Sequence, residues 1–372
     1  MAFDIRPLQM ALGALRFTIP LKEGDPSYIE RPDGLGQQIL DRIMVPTTHR
    51  LLLAGPAGCG KSTELLQLHR LAYPNYSVFV CPCDRDLDLY HFDPVVLARY
   101  LLWRMVLVAT TTELASSLTL SNEIQREVLK CLGMETIRLD NPRIFFSGLQ
   151  DRANLPTDGA AVFATFARLV AEIERAFVPA LLLIDGLEKI PPTAPADALG
   201  SFIRSPALDK CQSVIVVPSW TLYGWESMEQ YPDAEVLRIP VSSDPAFVRN
   251  VVALRADVFE PTALDAVAAY SGGVVRDGLQ LASIACRKAM SERTSAKVTT
   301  AHVEHGREAL RQSFQTMISD DPTAVADFLK QVVDTGQLPG NPALRNRLLG
   351  NGIVLLNPDG TFRVHPCAIL AP

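Results

Sequence analysis

Eight consecutive residues have the types and spacing of a phosphate-binding loop: Gly55-Pro56-Ala57-Gly58-Cys59-Gly60-Lys61-Ser62. They fit the pattern G-x-x-x-x-G-K-[ST], in which backbone N–H groups wrap a phosphate, the lysine neutralises the outer phosphates and the hydroxyl group binds magnesium. A side chain at Gly55 or Gly60 would block the close approach of the loop to a nucleotide. The sequence therefore predicts that residues 55–62 and Thr63 bind ATP or ADP, with Lys61 acting on the phosphates and Ser62 on magnesium. The alternative is a glycine-rich turn without a ligand.

A second candidate group consists of two acidic residues, Asp185 and Glu188, which follow the continuous apolar run Ala180–Ile184. Such a run is typical of a central strand in a parallel sheet, and an acid at its carboxyl end lies where these sheets bind ligands. We expect Asp185 to hold magnesium. Glu188 is the candidate to orient or deprotonate the attacking water, because the residue directly after Asp185 is a glycine. The alternatives are a strand-end cap for Asp185 and a solvated loop acid for Glu188.

Two further positions are candidates for contact with the nucleotide. Ser219 ends the buried-strand pattern Ser213–Val217 and would sit beside the phosphates if that strand neighbours the other two. Its alternative is an ordinary hydroxyl at a strand end. Tyr28 and Ile29 precede the first strand, and such a segment can fold back so that one of them packs on adenine. The alternative for Tyr28 is an anchor that holds the segment to the core.

An arginine is predicted in the first turn of a helix. The pair Gly272-Gly273 supplies the left-handed turn that ends one helix, and the next begins at about Val274. This places Arg276 where the helix dipole opposes a cation, which indicates an anionic partner such as a nucleotide phosphate. The alternative is a surface arginine paired with Asp277 or Asp265.

The elements around these residues indicate an α/β fold: a parallel sheet sandwiched by helices, followed by a helical lid and a winged-helix domain. Asp93-Pro94 is an N-cap and first-turn pair that opens two inserted helices, at about 94–118 and 121–132. We expect four regions along the chain. They are an N-terminal linker segment at 1–45, a P-loop core at 46–241 with a helical insertion at about 94–134, a lid at 242–318 and a winged helix at 319–372.

The last fifty residues resemble a helix-turn-helix unit with a wing. Helices are predicted near 322–334 and 342–349, followed by two short strands around the hairpin turn Asn357–Gly360. Such modules read DNA with the second helix in the major groove. Residues 320–372, however, carry a net charge of −1, which is unfavourable for phosphate contact. Packing against the ATPase domain or another protein is favoured over DNA binding.

Composition limits the classes of partner. The 372 residues carry a net charge of −6, which argues against a generally basic nucleic-acid surface. Seven cysteines without regular spacing or a signal peptide predict a cytoplasmic protein. The most apolar run, Val95–Ala109, is interrupted by Arg99 and Arg104, so no transmembrane helix and no membrane partner are predicted. His302 and His305 are expected on a solvated helix face without a metal.

The order of these pieces, over about residues 28–366, resembles that of an AAA+ or STAND-type signalling ATPase. The stretch Ser271–Arg276 is similar to the lid motif of initiator-type AAA+ proteins, so the resemblance implies that Arg276 senses the γ-phosphate. The spacing of Glu188 from Asp185 is closer to STAND ATPases than to the Asp-Glu pair of ring-forming motors. Many AAA+ rings carry a trans-acting arginine finger between the positions of Trp220 and Val236, where this chain has no arginine or lysine. Only Arg204 is a weak candidate for that role.

The sequence therefore leaves three functions open. The leading hypothesis is a slow ATP-driven switch that controls self-association or a partner effector protein. The second is a DNA-handling ATPase that acts through its winged helix. The third is a scaffold that binds ATP without hydrolysing it.

Overall fold

The computed structural model describes residues 4–18, 20–22, 24–45, 49–73, 75–111, 120–136, 141–148, 159–176, 178–191, 196–223, 231, 234–293, 296–318 and 321–368. Contacts divide the chain into two compact units. The first comprises residues 1–35, 55–64 and 238–372, and the second comprises residues 36–54 and 65–237.

The helices of the described residues are α1 Arg6–Ala14, α2 Leu35–Ile43, α3 Lys61–Ala72, α4 Cys83–Asp86, α5 Pro94–Thr111, α6 Asn122–Leu132, α7 Pro142–Ser147, α8 Gly159–Ala176, α9 Ala196–Ile203, α10 Pro245–Arg255, α11 Pro261–Tyr270, α12 Val275–Glu292, α13 Thr300–Ile318, α14 Pro322–Thr335 and α15 Pro342–Gly350. The strands are β1 Arg50–Ala54, β2 Ser77–Pro82, β3 Ala180–Asp185, β4 Gln212–Val216, β5 Glu235–Arg238, β6 Val354–Leu356 and β7 Phe362–Val364.

The first five strands form one sheet in the order β2-β3-β4-β1-β5. The pairs β2–β3, β3–β4 and β1–β4 are parallel, with Leu52 of β1 opposite Ile215 of β4. Every residue of β1 is buried, and so are the first five residues of β3. Burial on both faces explains why these strands are continuous apolar runs rather than alternating ones.

The predicted helical insertion packs into the core of the second unit. Asp93 caps α5 by accepting the N–H of Val95 at 2.7 Å, as the Asp-Pro pair predicts. Trp103 lies in a buried aromatic cluster with Tyr100 and Phe146, whose rings are 5.7 Å from the indole. The helix predicted at about 94–118 is observed as α5 up to Thr111, and its Trp103 and Met105 are buried in this core. Residues 112–118, the rest of that predicted helix, lie outside the described part of the chain.

The first unit contains the helices α10–α13 and the turn before α12. Asp244 caps α10 by accepting the N–H of Ala246 at 2.8 Å. Gly272 and Gly273 have φ values of +58° and +76°, which confirms the predicted left-handed turn. A Cβ on Gly273 would lie 2.3 Å from the carbonyl oxygen of Ser242, so this turn also requires glycine for space.

The C-terminal helices and hairpin lie at the predicted residues. β6 and β7 are antiparallel, and their turn is closed by an N–H of Gly360 that donates to the carbonyl of Asn357 at 3.0 Å. Helix α14 packs on β7, and α15 packs on β6. No helix within the described residues is long and apolar enough to cross a membrane.

The expectation for His302 is wrong. Its side chain is 5% exposed, its Nδ1 accepts the backbone N–H of Thr299 at 3.0 Å, and its Nε2 lies 2.9 Å from Glu292. The imidazole therefore closes the start of α13 rather than facing solvent. His305 is exposed, as predicted. Among the described residues no group of three or more His, Cys, Asp or Glu side chains forms a metal site.

Candidate nucleotide-binding site

The loop between β1 and α3 owes its conformation to three glycines. Gly58 and Gly60 have φ values of +84° and +103°, a region that residues with a Cβ rarely adopt. Gly55 is required for space, because its Cβ would lie 2.6 Å from the carbonyl oxygen of Ile239. At Gly60 a Cβ would meet nothing within 4 Å, so only the backbone conformation calls for glycine there. The close approach of a nucleotide is the predicted reason for glycine at these positions. Contacts and backbone angles within the protein are a second reason.

Lys61, the first residue of α3, points back into the loop. Its side chain is 4% exposed, and its Nζ donates to the carbonyl oxygens of Gly55 and Pro56, both at 2.9 Å. Its remaining donor capacity faces the Cys59 sulfur at 3.9 Å. The loop therefore folds around a buried ammonium group, which would have to exchange carbonyl partners in order to bind a phosphate oxygen.

The first turn of α12 contacts the same loop. The backbone N–H of Arg276 donates to the carbonyl oxygen of Gly58 at 3.1 Å. A Cβ on Gly58 would lie 2.4 Å from the Cβ of Arg276, so the two main chains approach closely. Sequence reasoning expected the Arg276 side chain near the phosphates, and the structure shows its backbone against the phosphate loop.

The two carboxylates named as alternative partners of Arg276 bind elsewhere. Asp265 pairs with Arg249 at 2.8 Å, and Asp277 lies 3.2 Å from the Nε2 of His365. Within the described residues, no hydrogen bond or ion pair engages the Arg276 guanidinium. The side chain is half-buried, so it is available to a ligand.

Arg31 is a loop contact that sequence reasoning missed. It is 4% exposed, and its Nη1 donates to the carbonyl oxygen of Cys59 at 2.6 Å. Its Nη2 donates to the carbonyl of Pro240 at 3.1 Å, while Nε and Nη2 bind the two carboxylate oxygens of Asp33 at 3.0 and 2.6 Å. Arginines are mostly exposed, so no feature of the sequence marked this one as buried.

Tyr28 is held by an acid at the start of α3. Its hydroxyl donates to the carboxylate of Glu64, with the shorter distance 3.2 Å. Glu64 is 2% exposed, and burial raises the pKa of its carboxyl to about 7, although Tyr28 and Arg31 oppose that rise. This is the anchoring contact named as the alternative for Tyr28. Ile29 is half-buried, and the packing of either side chain on adenine stays a prediction.

The acidic residues lie in the second unit. Asp185 ends β3 opposite Pro82 of β2, and Gly186 follows it with a φ of +90°. A Cβ on Gly186 would lie 2.7 Å from the backbone N of Asp84, so the turn after β3 is tight. Glu188 lies in the short 3-10 turn Leu187–Lys189, and its Oε2 is buried without a hydrogen-bond partner in the described structure. A buried acceptor without a donor is uncommon in native structures.

Ser219 and the magnesium candidates occupy different positions in the fold. Ser219 is 8% exposed and begins the 3-10 turn Ser219–Leu222 after β4, the neighbour of β3 in the sheet. Ser62 lies in the first unit and Asp185 in the second. The hydroxyl and the carboxylate are each a type of ligand that Mg²⁺ accepts. The magnesium site itself stays a prediction.

The central sheet is parallel, and a glycine-rich loop joins its strand β1 to helix α3, which begins with Lys61. These two features determine the architecture. The chain has the fold of an α/β P-loop NTPase. No protein-family model matches the chain, and no curated protein matches it. Three similar solved structures are RuvB, the Holliday junction branch migration motor of Thermotoga maritima, Cdc6p of Pyrobaculum aerophilum and Drosophila ORC bound to DNA.

The RuvB chain is 14% identical, with 91% of this chain and 95% of that chain covered and a TM-score of 0.41. For Cdc6p the identity is 12%, the coverage 95% and 93%, and the TM-score 0.48. For ORC the identity is 12%, the coverage 96% and 89%, and the TM-score 0.49. At such identities the likeness concerns the fold alone.

Proposed function

We propose that this chain is an AAA+ or STAND-like ATPase that works as a slow, nucleotide-controlled switch. The observation that carries the proposal is the contact between Arg276 and Gly58. The first turn of α12 is hydrogen-bonded to the phosphate loop at 3.1 Å, and the guanidinium of the same residue has no partner within the described residues. A γ-phosphate at the loop would give that guanidinium an anion.

Each predicted site residue has a role in this proposal. Residues 55–63 bind the phosphates, and Lys61 exchanges its carbonyl partners for phosphate oxygens. Asp185 and Ser62 would hold magnesium, which neutralises phosphate charge when bound. Glu188 would orient or deprotonate the attacking water through its carboxylate. Ser219 would bind phosphate or water, and Tyr28 or Ile29 would pack against the base.

The switch follows from differential binding. A ligand shifts the balance between two arrangements only if it binds one of them better. ATP and ADP differ in the γ-phosphate, and Arg276 is the residue of α12 placed to respond to that difference. With ATP bound, the loop and α12 are held together through both backbone and side chain. Hydrolysis removes the side-chain contact and leaves the backbone contact, so α12 is held less firmly and a surface for self-association or for an effector protein can change.

The test is the solution mass and shape of the protein with no nucleotide, with ADP and with a non-hydrolysable ATP analogue. We expect the wild type to change with the ATP analogue and Arg276→Ala to give the same profile in all three conditions. Arg249→Ala is the matched control, because Arg249 is another arginine of the same unit whose partner is Asp265. A nucleotide response that survives unaltered in Arg276→Ala would contradict the proposal.

The DNA-handling alternative has less support from the C-terminal module. Arg363, one of its few cations, donates from Nη2 to the carbonyl of Gly272 at 2.9 Å, and burial lowers its pKa. This contact favours packing of Arg363 within the protein over phosphate binding. DNA binding that falls steeply with salt and is lost when Arg345, Arg347 and Arg363 are changed to Ala would instead support the alternative.

Phosphate release separates the switch from a scaffold that only binds ATP. We expect slow release by the wild type and a loss of about 100-fold or more in Glu188→Gln, since a general base contributes a factor of that order. Equal release by both proteins at the background level would identify the scaffold.

A further inference from the structure

We propose that Arg31 is a positioning residue of the phosphate loop: by holding the Cys59 carbonyl, it aims the N–H of Gly60 at the bound phosphate. The inference rests on the proposed function, since it assumes that the loop binds a nucleotide. It concerns a residue outside the loop motif, in the irregular segment that precedes α2.

The peptide between Cys59 and Gly60 connects the Arg31 contact to the phosphate-binding face of the loop. A trans peptide is planar, and its C=O and N–H point in opposite directions. The Cys59 oxygen is fixed by a charge-assisted bond of 2.6 Å to the Nη1 of Arg31. The N–H of Gly60 therefore points away from Arg31, and none of the hydrogen bonds within the described residues uses it. Gly60 has a φ of +103°, which glycine adopts without strain, so the backbone itself does not fix the orientation of this peptide and the bond from Arg31 does.

The guanidinium that holds this carbonyl is itself fixed. Asp33 binds Nε and Nη2 through its two oxygens at 3.0 and 2.6 Å, which is the two-pronged geometry that orients a planar guanidinium. The Nη2 group also donates to the carbonyl of Pro240 at 3.1 Å. All three nitrogens of Arg31 are thus engaged, so the side chain cannot rotate away from Cys59 without breaking the other bonds.

The Pro240 contact links the loop to the segment that leads into the lid helices. Ile239, next to Pro240, lies so close to Gly55 that a Cβ there would be 2.6 Å from the Ile239 oxygen. The loop therefore packs against Ile239 at its first residue, Gly55. At its fifth residue, Cys59, it is linked to Pro240 through Arg31. Movement of residues 239–240 would therefore displace the Cys59–Gly60 peptide through Arg31.

A positioning role makes a different prediction from a purely structural one. Without Arg31, the Cys59 oxygen is left without its donor in a buried place and the peptide can reorient. Affinity that depends on the phosphates should fall, whereas affinity for the nucleoside part should not. A structural role would lower the stability of the fold and weaken every ligand alike.

Arg50 provides a matched control. It is 3% exposed, pairs with Asp209 and donates to the carbonyl of Ser205 at 3.1 Å, so it too is a buried arginine that joins a carboxylate to a main-chain carbonyl. Its partners lie in the second unit and do not include the loop. Arg50→Gln therefore reports the cost of losing a buried arginine without a change at Cys59.

The experiment measures the affinities of ADP and adenosine, and the melting temperature without nucleotide, for the wild type, Arg31→Gln and Arg50→Gln. We expect Arg31→Gln to weaken ADP about tenfold, the effect of losing one charge-assisted hydrogen bond, with adenosine unchanged within about twofold. Arg50→Gln should lower the melting temperature and keep the ratio of the two affinities. An Arg31→Gln protein with the wild-type ratio overturns the inference, and so does equal weakening of both ligands.

Two milder variants keep the inference testable if Arg31→Gln does not fold. Arg31→Lys keeps one donor for the Cys59 carbonyl but loses the two-pronged contact with Asp33. Its ADP affinity should therefore lie between those of the wild type and of Arg31→Gln. Asp33→Asn leaves Arg31 in place but weakens its orientation and should give a smaller loss of the same kind. Wild-type ratios in both variants overturn the inference. A wild type that binds neither ADP nor ATP would instead refute the proposed function.

Discussion

Two arginines hold adjacent carbonyls of the phosphate loop, and they do so with different groups. Arg276 binds the Gly58 oxygen through its backbone N–H, and Arg31 binds the Cys59 oxygen through its guanidinium. The guanidinium of Arg276 has no partner within the described residues, whereas that of Arg31 is engaged by two main-chain carbonyls and the Asp33 carboxylate. The difference separates two tasks: Arg276 is suited to respond to the nucleotide, and Arg31 to set the shape of the loop that receives it.

The contact with Arg276 can be broken at Gly58, and we expect this to have the largest effect. In Gly58→Ala the new Cβ would lie 2.4 Å from the Cβ of Arg276, and the φ of +84° is unfavourable for alanine. The loop must move away from α12, so ATP binding should fall by about 100-fold or more, beyond the strain of about 1–2 kcal/mol for the backbone alone. Affinity is measured by titration and stability by thermal unfolding.

Gly360 supplies the matched control for this variant. It has the same φ of +84°, and a Cβ there would meet nothing within 4 Å. Gly360→Ala should therefore show the cost of backbone strain without the steric contact. If both variants bind ATP equally well, the approach of Arg276 to the loop has no role in nucleotide binding.

The turn that carries Arg276 can be loosened from its other side, with a moderate effect. Arg363 donates to the carbonyl of Gly272, four residues before Arg276, and His365 lies 3.1 Å from the carbonyl of Ser271. Arg363→Ala removes a half-buried charge-assisted bond and should cost about 1–3 kcal/mol in the free energy of unfolding. It should also reduce the change in solution mass and shape on nucleotide binding, while the Arg31 contacts stay intact.

Denaturant unfolding and nucleotide-dependent mass check this expectation. Lys330→Ala, at an exposed site of α14, is the control and should change neither quantity. An Arg363→Ala protein with wild-type stability would show that the hairpin does not secure the turn.

Near Arg31, the buried carboxyl of Glu64 makes the stability of the fold depend on pH. The pKa of Glu64 is raised by burial to about 7 from an ordinary value of 4.5, so the folded state holds a proton that the unfolded state has lost. Stability from this group is present below about pH 4.5 and is lost as the pH rises towards 7. Glu64→Gln should remove that dependence and be more stable than the wild type at pH 8, by about 1–3 kcal/mol.

Unfolding free energies of the wild type and Glu64→Gln, measured between pH 5 and pH 8, test the sign. We expect the difference between the two proteins to grow across this range in favour of the variant. A constant difference would mean that Glu64 titrates at its ordinary value and that its carboxylate is not desolvated.

Local patterns made much of the fold predictable. The loop, the buried strands, the cap at Asp93 and the hairpin turn each depend on a few neighbouring residues, and the structure has them at the expected places. The position of Arg276 in the first turn of α12 followed from the glycine pair before it. These features depend on propensities that act within a few residues.

Features that depend on tertiary burial were not predictable. Arg31 and His302 are charged or polar residues in polar stretches of the sequence, and only the folded chain brings their partners to them. The carbonyl contacts of Lys61 and the backbone contact of Arg276 also belong to this class. The helices α1 and α7 were not predicted either, and both are short.

One measurement tests the central claim most directly: the ratio of ATP affinity to ADP affinity in the wild type, Arg276→Ala and Arg31→Gln. If Arg276 responds to the γ-phosphate and Arg31 shapes the loop, Arg276→Ala should bring the ratio close to one. Arg31→Gln should weaken both nucleotides and keep the wild-type ratio. A ratio that changes equally in both variants, or in neither, would contradict the division of tasks between the two arginines.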